Sequence, residues 1–254
     1  MIRRDYFLLH LFFSACVTIL GLNLLLSLWF PDGLAQSSGM GGILVIIILI
    51  DVVLGPLLTL IIANPKKSAR MLRWNLFTIA LIQLAGLAYG VQNLASLRPI
   101  NLVLFENRLE ITYARERMER PFTQNQDKAF PITWAGPELL VFNMPEDKAL
   151  AWDILNAGGK GFGVGAFTDH LLTWSQGLVQ VKKAAVPASK IMEADPEWQR
   201  ALIKYCATFS QQIENIGVIS LRGREGRGAL LVNLESGQPL RLIDMTVPRE
   251  FRPL

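Results

Sequence analysis

Three long apolar runs open the chain, and a remainder of mixed polarity follows. The first run, Phe7 to Phe30, contains no Asp, Glu, Lys or Arg. At about 1.5 Å per helical residue it is long enough for a hydrocarbon core of roughly 30 Å. It exceeds the apolar segment of a cleaved leader and ends without a small-x-small site. Ser14-Ala15-Cys16 has the look of a lipoprotein cleavage box, but apolar residues continue well past Cys16, which reads as filler on a membrane helix. The second run goes from Ile43 to about Ala63, interrupted by Asp51 and by Gly55-Pro56, where a kink is expected. The third, about Leu76 to Leu97, is the most polar, with Gln83, Tyr89, Gln92 and Asn93. The pattern predicts a membrane protein with three N-terminal transmembrane helices, over about 7–30, 43–63 and 76–97, within a domain of residues 1–98.

Residues 99–254 predict an α+β domain. Asn101–Phe105 and Arg108–Tyr113 read as strands around a Glu106-Asn107 turn, and Leu139–Asn143 as another. Pro145 to about Asn156 suits a helix, stopped at Gly158. Asp195-Pro196 opens a second helix through about Glu214, with Asp195 as N-cap. Gly217–Leu221, Gly228–Leu234 and Pro239–Met245 predict a C-terminal antiparallel strand meander.

Charge fixes an orientation. The 254 residues carry a formal net charge of +4, all of it in residues 1–98, because residues 99–254 balance. A basic patch on a folded surface is therefore not expected, nor is nucleic-acid binding. Arg3 and Arg4 precede the first span, and Lys66, Lys67, Arg70 and Arg73 follow the second, while residues 31–42 have no Lys or Arg. Short basic loops stay in the cytoplasm. The expected topology puts the N-terminus and residues 65–75 inside, and residues 31–42 and everything after 97 outside, in a bacterial periplasm. Trp29 and Trp74 fall at expected interfaces. Charged residues are 18% of the chain and hydrophobic ones 51%, which excludes a disordered protein. Two cysteines and two histidines exclude a cysteine-rich scaffold and leave little for a metal centre, and no cofactor is expected.

Asp51 is the first chemical candidate, because a carboxylate within a span costs about 2.5–3.5 kcal/mol on insertion scales and needs a partner or a cavity. Counting from the outer ends brings Asn23, Asp51 and Tyr89 to one depth, with Gln92 above Tyr89. Three readings stand: a hydrogen-bonded clamp between spans, a polar socket for a foreign helix, and proton or ion handling. Gly86 and Gly90 have GxxxG spacing, which serves close packing within the bundle or against another protein. The glycine-rich stretch 158–165 lacks the Gly-Lys-Ser/Thr ending of a phosphate loop. It reads as a mobile loop, with Gly161, Phe162 and Gly163 as a docking tip. Asp169 and His170 are weak material for a hydrolase and read as surface or capping residues, and Cys206 as a free thiol.

Asp51 to Leu60 followed by Asn64-Pro65, and Ile82 to Gly90, resemble the TfpX/TfpZ group of type IV pilin accessory proteins. Arg98-Pro99 and the closing hairpin at Glu235-Ser236-Gly237 fit that resemblance. It implies a non-enzymatic inner-membrane accessory factor that modulates type IV pilus assembly or surface piliation. Its implied partners are a major or minor pilin, the inner-membrane assembly machinery and the lipid bilayer. Asp51, Gly55, Pro56, Asn64, Pro65, Gln83, Gly86, Tyr89 and Gly90 carry over as signature positions, with no catalytic role. Rival readings are a small transporter or proton-handling protein, a membrane-anchored periplasmic sensor, and an anchored hydrolase that would need His170.

Overall fold

The computed structural model describes residues 3–63, 68–118, 132–159, 163–224 and 226–252. The signature pair Asn64-Pro65, and Gly161 and Phe162 of the expected docking tip, lie outside the described residues. The chain divides into two units. One holds Met1–Leu28 and Met40–Leu97, and the other Trp29–Gly39 and Arg98–Leu254.

The first unit consists of three helices long and apolar enough to cross a membrane: α1 (Arg3–Trp29), α2 (Gly41–Ile62) and α3 (Ala69–Leu97). α3 begins ahead of the apolar run, because Ser68 caps it, its hydroxyl accepting from the Met71 N–H at 3.4 Å. Arg70, Arg73 and Trp74 therefore belong to its first turns. α2 meets the Gly55-Pro56 problem with a π-helical stretch over Leu49–Leu54. Proline has no N–H to donate and its ring crowds the preceding turn, so a widened turn ahead of it keeps the helical path continuous. Backbone angles at Leu54 and Gly55 stay helical, and Asp51 sits inside the wide turn. On α3 the stripe Ile79, Gln83, Gly86, Gly90 and Leu94 recurs every three or four residues. A Cβ at Gly86 would lie 2.9 Å from Ile50, and one at Gly90 would run into Ile47. The GxxxG notch is thus filled by isoleucines of α2.

The second unit is built on one mixed sheet in the order β4-β3-β1-β2-β6-β7-β8, with β5 paired to β6. Its strands are β1 (Pro99–Phe105), β2 (Arg108–Tyr113), β3 (Glu138–Phe142), β4 (Leu171–Thr173), β5 (Val186–Pro187), β6 (Ile216–Arg222), β7 (Arg227–Asn233) and β8 (Pro239–Ile243). β1–β2, β6–β7 and β7–β8 are antiparallel, whereas β1–β3 and β2–β6 are parallel. Its helices are α4 (Ala114–Met118), α5 (Lys148–Gly159), α6 (Leu178–Ala184), α7 (Ala188–Ala194) and α8 (Pro196–Phe209). Val103, Phe105, Leu140 and Phe142 alternate along β1 and β3 and pack under Ile154 and Ala157 of α5. Ile216, Val218, Ala229 and Leu231 do the same on β6 and β7, under Ile191 of α7 and Trp198 and Leu202 of α8. Asp195 caps α8 by accepting from the Glu197 N–H at 2.8 Å, and Ser210 ends it with φ 53°.

Residues 29–39 belong to this unit, although they connect two membrane helices. The Tyr113 hydroxyl donates to the Ser37 carbonyl at 3.3 Å. Gly223 and Gly226 lie so close to Ser37 that a side chain at either would collide with it. The Arg98 guanidinium stacks between Trp29, at 5.7 Å, and Trp134, at 5.3 Å. Trp29 is buried at 2% exposure, enclosed by protein. Val164 and Gly165, expected within the mobile loop 158–165, instead belong to a buried turn, Val164–Ala166, and Gly165 abuts Thr112.

Candidate functional site within the membrane helices

The polar residues of the three helices meet at one place. His10, Ser14 and Thr18 recur every four residues on α1 and form a single stripe. Gln83 of α3 reaches all three helices. Its amide nitrogen donates to the Asp51 carbonyl at 3.0 Å and to the Ser14 hydroxyl at 3.4 Å. Its amide oxygen lies 2.8 Å from His10 Nε2. That oxygen only accepts, so Nε2 carries a hydrogen. Gly55 makes room for the amide, since a Cβ there would collide with it.

His10 Nδ1 lies 2.5 Å from the Thr59 hydroxyl, which also lies 3.1 Å from the Gly55 carbonyl. Thr59 has one hydrogen to give. It can go to the Gly55 carbonyl or to His10 Nδ1, and the Thr59 rotor decides which.

Asp51 is 5% exposed, and its Oδ2 has no hydrogen-bond partner among the described residues. It lines a cavity of about 270 Å³ together with His10, Ser14, Thr18 and Gln83. The rim is apolar and outward-facing: Phe13 is 58% exposed and Leu84 63%. Such a site accepts a hydrogen-bond donor that arrives from the hydrocarbon side.

Several expected members are elsewhere. Asn23 is exposed and donates to the Ile19 carbonyl of its own helix at 2.8 Å. Tyr89 is 68% exposed, and Gln92 is exposed as well. The depth count started each span at its outer apolar end, but Gly86 abuts Ile50 and Gly90 abuts Ile47, so Asp51 faces the level of Gln83 to Leu87. Tyr89 also lies off the Gln83–Gly86–Gly90 stripe and turns away. Asp51, Gly55 and Gln83 do come together, Pro56 is buried beside them in α2, and Gly86 and Gly90 set the spacing. Sequence reasoning missed His10, Ser14, Thr18 and Thr59. The signal was the polar i, i+4, i+8 stripe on an otherwise apolar helix. Gly163 belongs to the sheet unit, is half-buried there and lies against Glu116 of α4.

Helices of this kind joined to a sheet unit define a multi-span membrane protein with an α+β domain. The chain is 33% identical over 95 residues to the fimbrial assembly protein of serogroups C1 and C2 from Dichelobacter nodosus, spanning 37% of this chain and 72% of that protein. It is 26% identical over 184 residues to the serogroup I fimbrial assembly protein of the same organism, spanning 72% of this chain and 71% of that protein. The chain belongs to the family of fimbrial assembly proteins. No protein-family profile matches it, and no solved structure matches it.

Proposed function

We propose that this chain is a non-catalytic inner-membrane accessory factor of type IV pilus assembly, of the TfpX/TfpZ kind, which binds pilin subunits through its membrane helices. The N-terminus is cytoplasmic, and the sheet unit is periplasmic. Three observations support the reading. The relatives are named for fimbrial assembly. Basic residues cluster at the starts of α1 and α3, whereas residues 31–42 carry none and Arg98 alone adjoins the end of α3. Residues 29–39 and 98–254 share one folded unit, so the α1–α2 connection and the tail lie on the same side.

The observation that carries the reading is the Asp51 carboxyl. It is buried at membrane depth with one oxygen unpartnered, in a cavity whose rim faces outward. A closed internal clamp would satisfy that oxygen. A helix offering a donor satisfies it on binding and leaves again when the subunit is passed on. The test is photocrosslinking in cells from Phe13 and Leu84 on the rim, with Tyr89 as an off-site control. Pilin adducts at 13 and 84 but not at 89 support the socket. Equal adducts at all three positions, or none beside a well-expressed native pilin, overturn it.

A second reading, proton handling, is favoured by the shared hydrogen of Thr59 and His10 beside Asp51. Proton flux into proteoliposomes that is abolished by Asp51→Asn would replace the socket with it.

A further inference from the structure

A second site lies in the sheet unit. β2 pairs with β6 only across Arg108–Glu110, because β6 ends at Arg222 while β2 runs on to Tyr113. The gap left beside the end of β6 is a cleft of about 440 Å³. Phe105, Ile111, Ile154 and Val164 give it an apolar floor. Leu155 of α5 lines it and is 48% exposed, and Trp152, one turn away on the same helix, is 65% exposed. The apolar surface thus continues past the rim.

Arg108, Arg222 and Arg224 line the same cleft. Arg108 is paired with Glu110 at 3.1 Å. Arg222 and Arg224 have no carboxylate within ion-pair distance among the described residues, and Arg224 stacks on the Tyr113 ring at 5.2 Å. Glu116 also lines the cleft, is 8% exposed, and its Oε2 has no hydrogen-bond partner among the described residues.

We propose that this cleft binds an acidic peptide segment of a partner protein. A carboxylate of the peptide takes Arg222 and Arg224, an adjoining apolar side chain takes the floor, and the Glu116 carboxyl donates its proton to the peptide carboxylate. The occupant is fixed by charge complementarity: two guanidiniums with no carboxylate in ion-pair distance among the described residues ask for an anion, and a protonated carboxyl adds a donor to it. The extent of the surface, with Leu155 and Trp152 beyond the rim, suits a chain rather than a small ion.

Burial raises the Glu116 carboxyl to about 7, partly offset by the backbone at Tyr113 and Gly163 and by Arg224. Among the described residues Arg224 after β6 and Glu110 and the Tyr113 phenol of β2 act on it electrostatically, and Arg108 of β2 and Arg222 of β6 line the same cleft. α5 and the Val164 turn bring only apolar lining residues. Binding through the protonated form therefore weakens as pH rises through neutrality.

The test is calorimetric titration of the full chain in lipid nanodiscs with acetyl-Leu-Glu-Leu-amide and its Gln analogue. At pH 6 the Glu peptide should bind about tenfold tighter than the Gln peptide or better. Its affinity should fall by about tenfold or more at pH 8.5. Glu116→Gln, which keeps a donor, should bind with little change between the two pH values, and the Arg222→Gln/Arg224→Gln double variant should lose the preference for Glu. The peptide comparison and the pH comparison use the unaltered chain, so they stand whether or not a variant folds. Equal affinity for the two peptides, no measurable binding, or binding of the Glu peptide that does not change with pH overturns the proposal. Inorganic phosphate that displaces the Glu peptide at equal concentration makes the cleft a small-anion site and overturns the peptide assignment.

Discussion

Among the described residues each unit holds a buried carboxyl side chain with an oxygen left unpartnered, Asp51 among the helices and Glu116 against the sheet, where the half-buried Asp169 has another. Their surroundings differ. Asp51 shares its cavity with the Gln83 amide, the Ser14 and Thr18 hydroxyls and the ring of His10. Glu116 has a guanidinium within electrostatic reach and a floor of core residues. The framework around them differs too. The helical unit is held by side chains fitted into a glycine notch and by one amide that bridges three helices. The sheet unit is held by two apolar clusters and a continuous ladder. The same buried group is therefore the main polar feature of a loosely held bundle in one unit, and a perturbation of a well-packed core in the other.

Four substitutions test that contrast, from the largest effect to the smallest. Trp198 is fully buried and its indole donates to the Thr246 carbonyl at 3.0 Å. Trp198→Ala should cost about 3–5 kcal/mol and lower the thermal unfolding temperature of the sheet unit in detergent. A small loss would mean that the sheet core is as loosely held as the helices.

Glu116→Gln comes next. The carboxyl goes from an ordinary value of 4.5 to about 7 on folding. Its protonated form fits the site, so stability is full below the unfolded value and falls as pH rises to the folded one. The substitution removes that fall and should stabilise the chain by roughly 3 kcal/mol at pH 8, and by little at pH 4. Thermal melts at the two pH values check it, and an equal gain at both would break the assignment.

Asp51→Leu should leave the chain folded, or stabilise it by about 2 kcal/mol, while surface piliation changes. Melting temperature and pilus counts on the same cells separate the two effects. A loss of stability with unchanged piliation would make Asp51 a structural clamp. Asp195→Ala removes the α8 cap and should cost about 1 kcal/mol, read from the same melts.

The parts legible in the sequence were those set by local pattern. β6, β7 and β8 are short apolar runs separated by turn residues, and they stand within two residues of their expected bounds. Asp195-Pro196 marked the start of α8 to the residue. Residues 171–194 were opaque, because β4 has three residues and β5 two, and each is a strand only through its partner, β3 or β6. At the membrane site, Asp51 and Gln83 stood out as polar residues in apolar runs. Their true partners did not, because Ser and Thr are common fillers in such helices and only their spacing on α1 carried information. The seat of Ser37 depends on Gly223 and Gly226, far along the chain, and no local pattern announces that contact.

The enclosure of residues 29–39 by the sheet unit has a consequence for the order of biosynthesis. This connection is synthesised long before its seat at Gly223 and Gly226. During the interval it has no lodging. A chain stopped ahead of β6 leaves Ser37 and its neighbours bare, with Trp29 held at most by Arg98 and Trp134. The cell's proteases are thereby offered a peptide at the membrane surface that only a chain synthesised past Gly226 can withdraw.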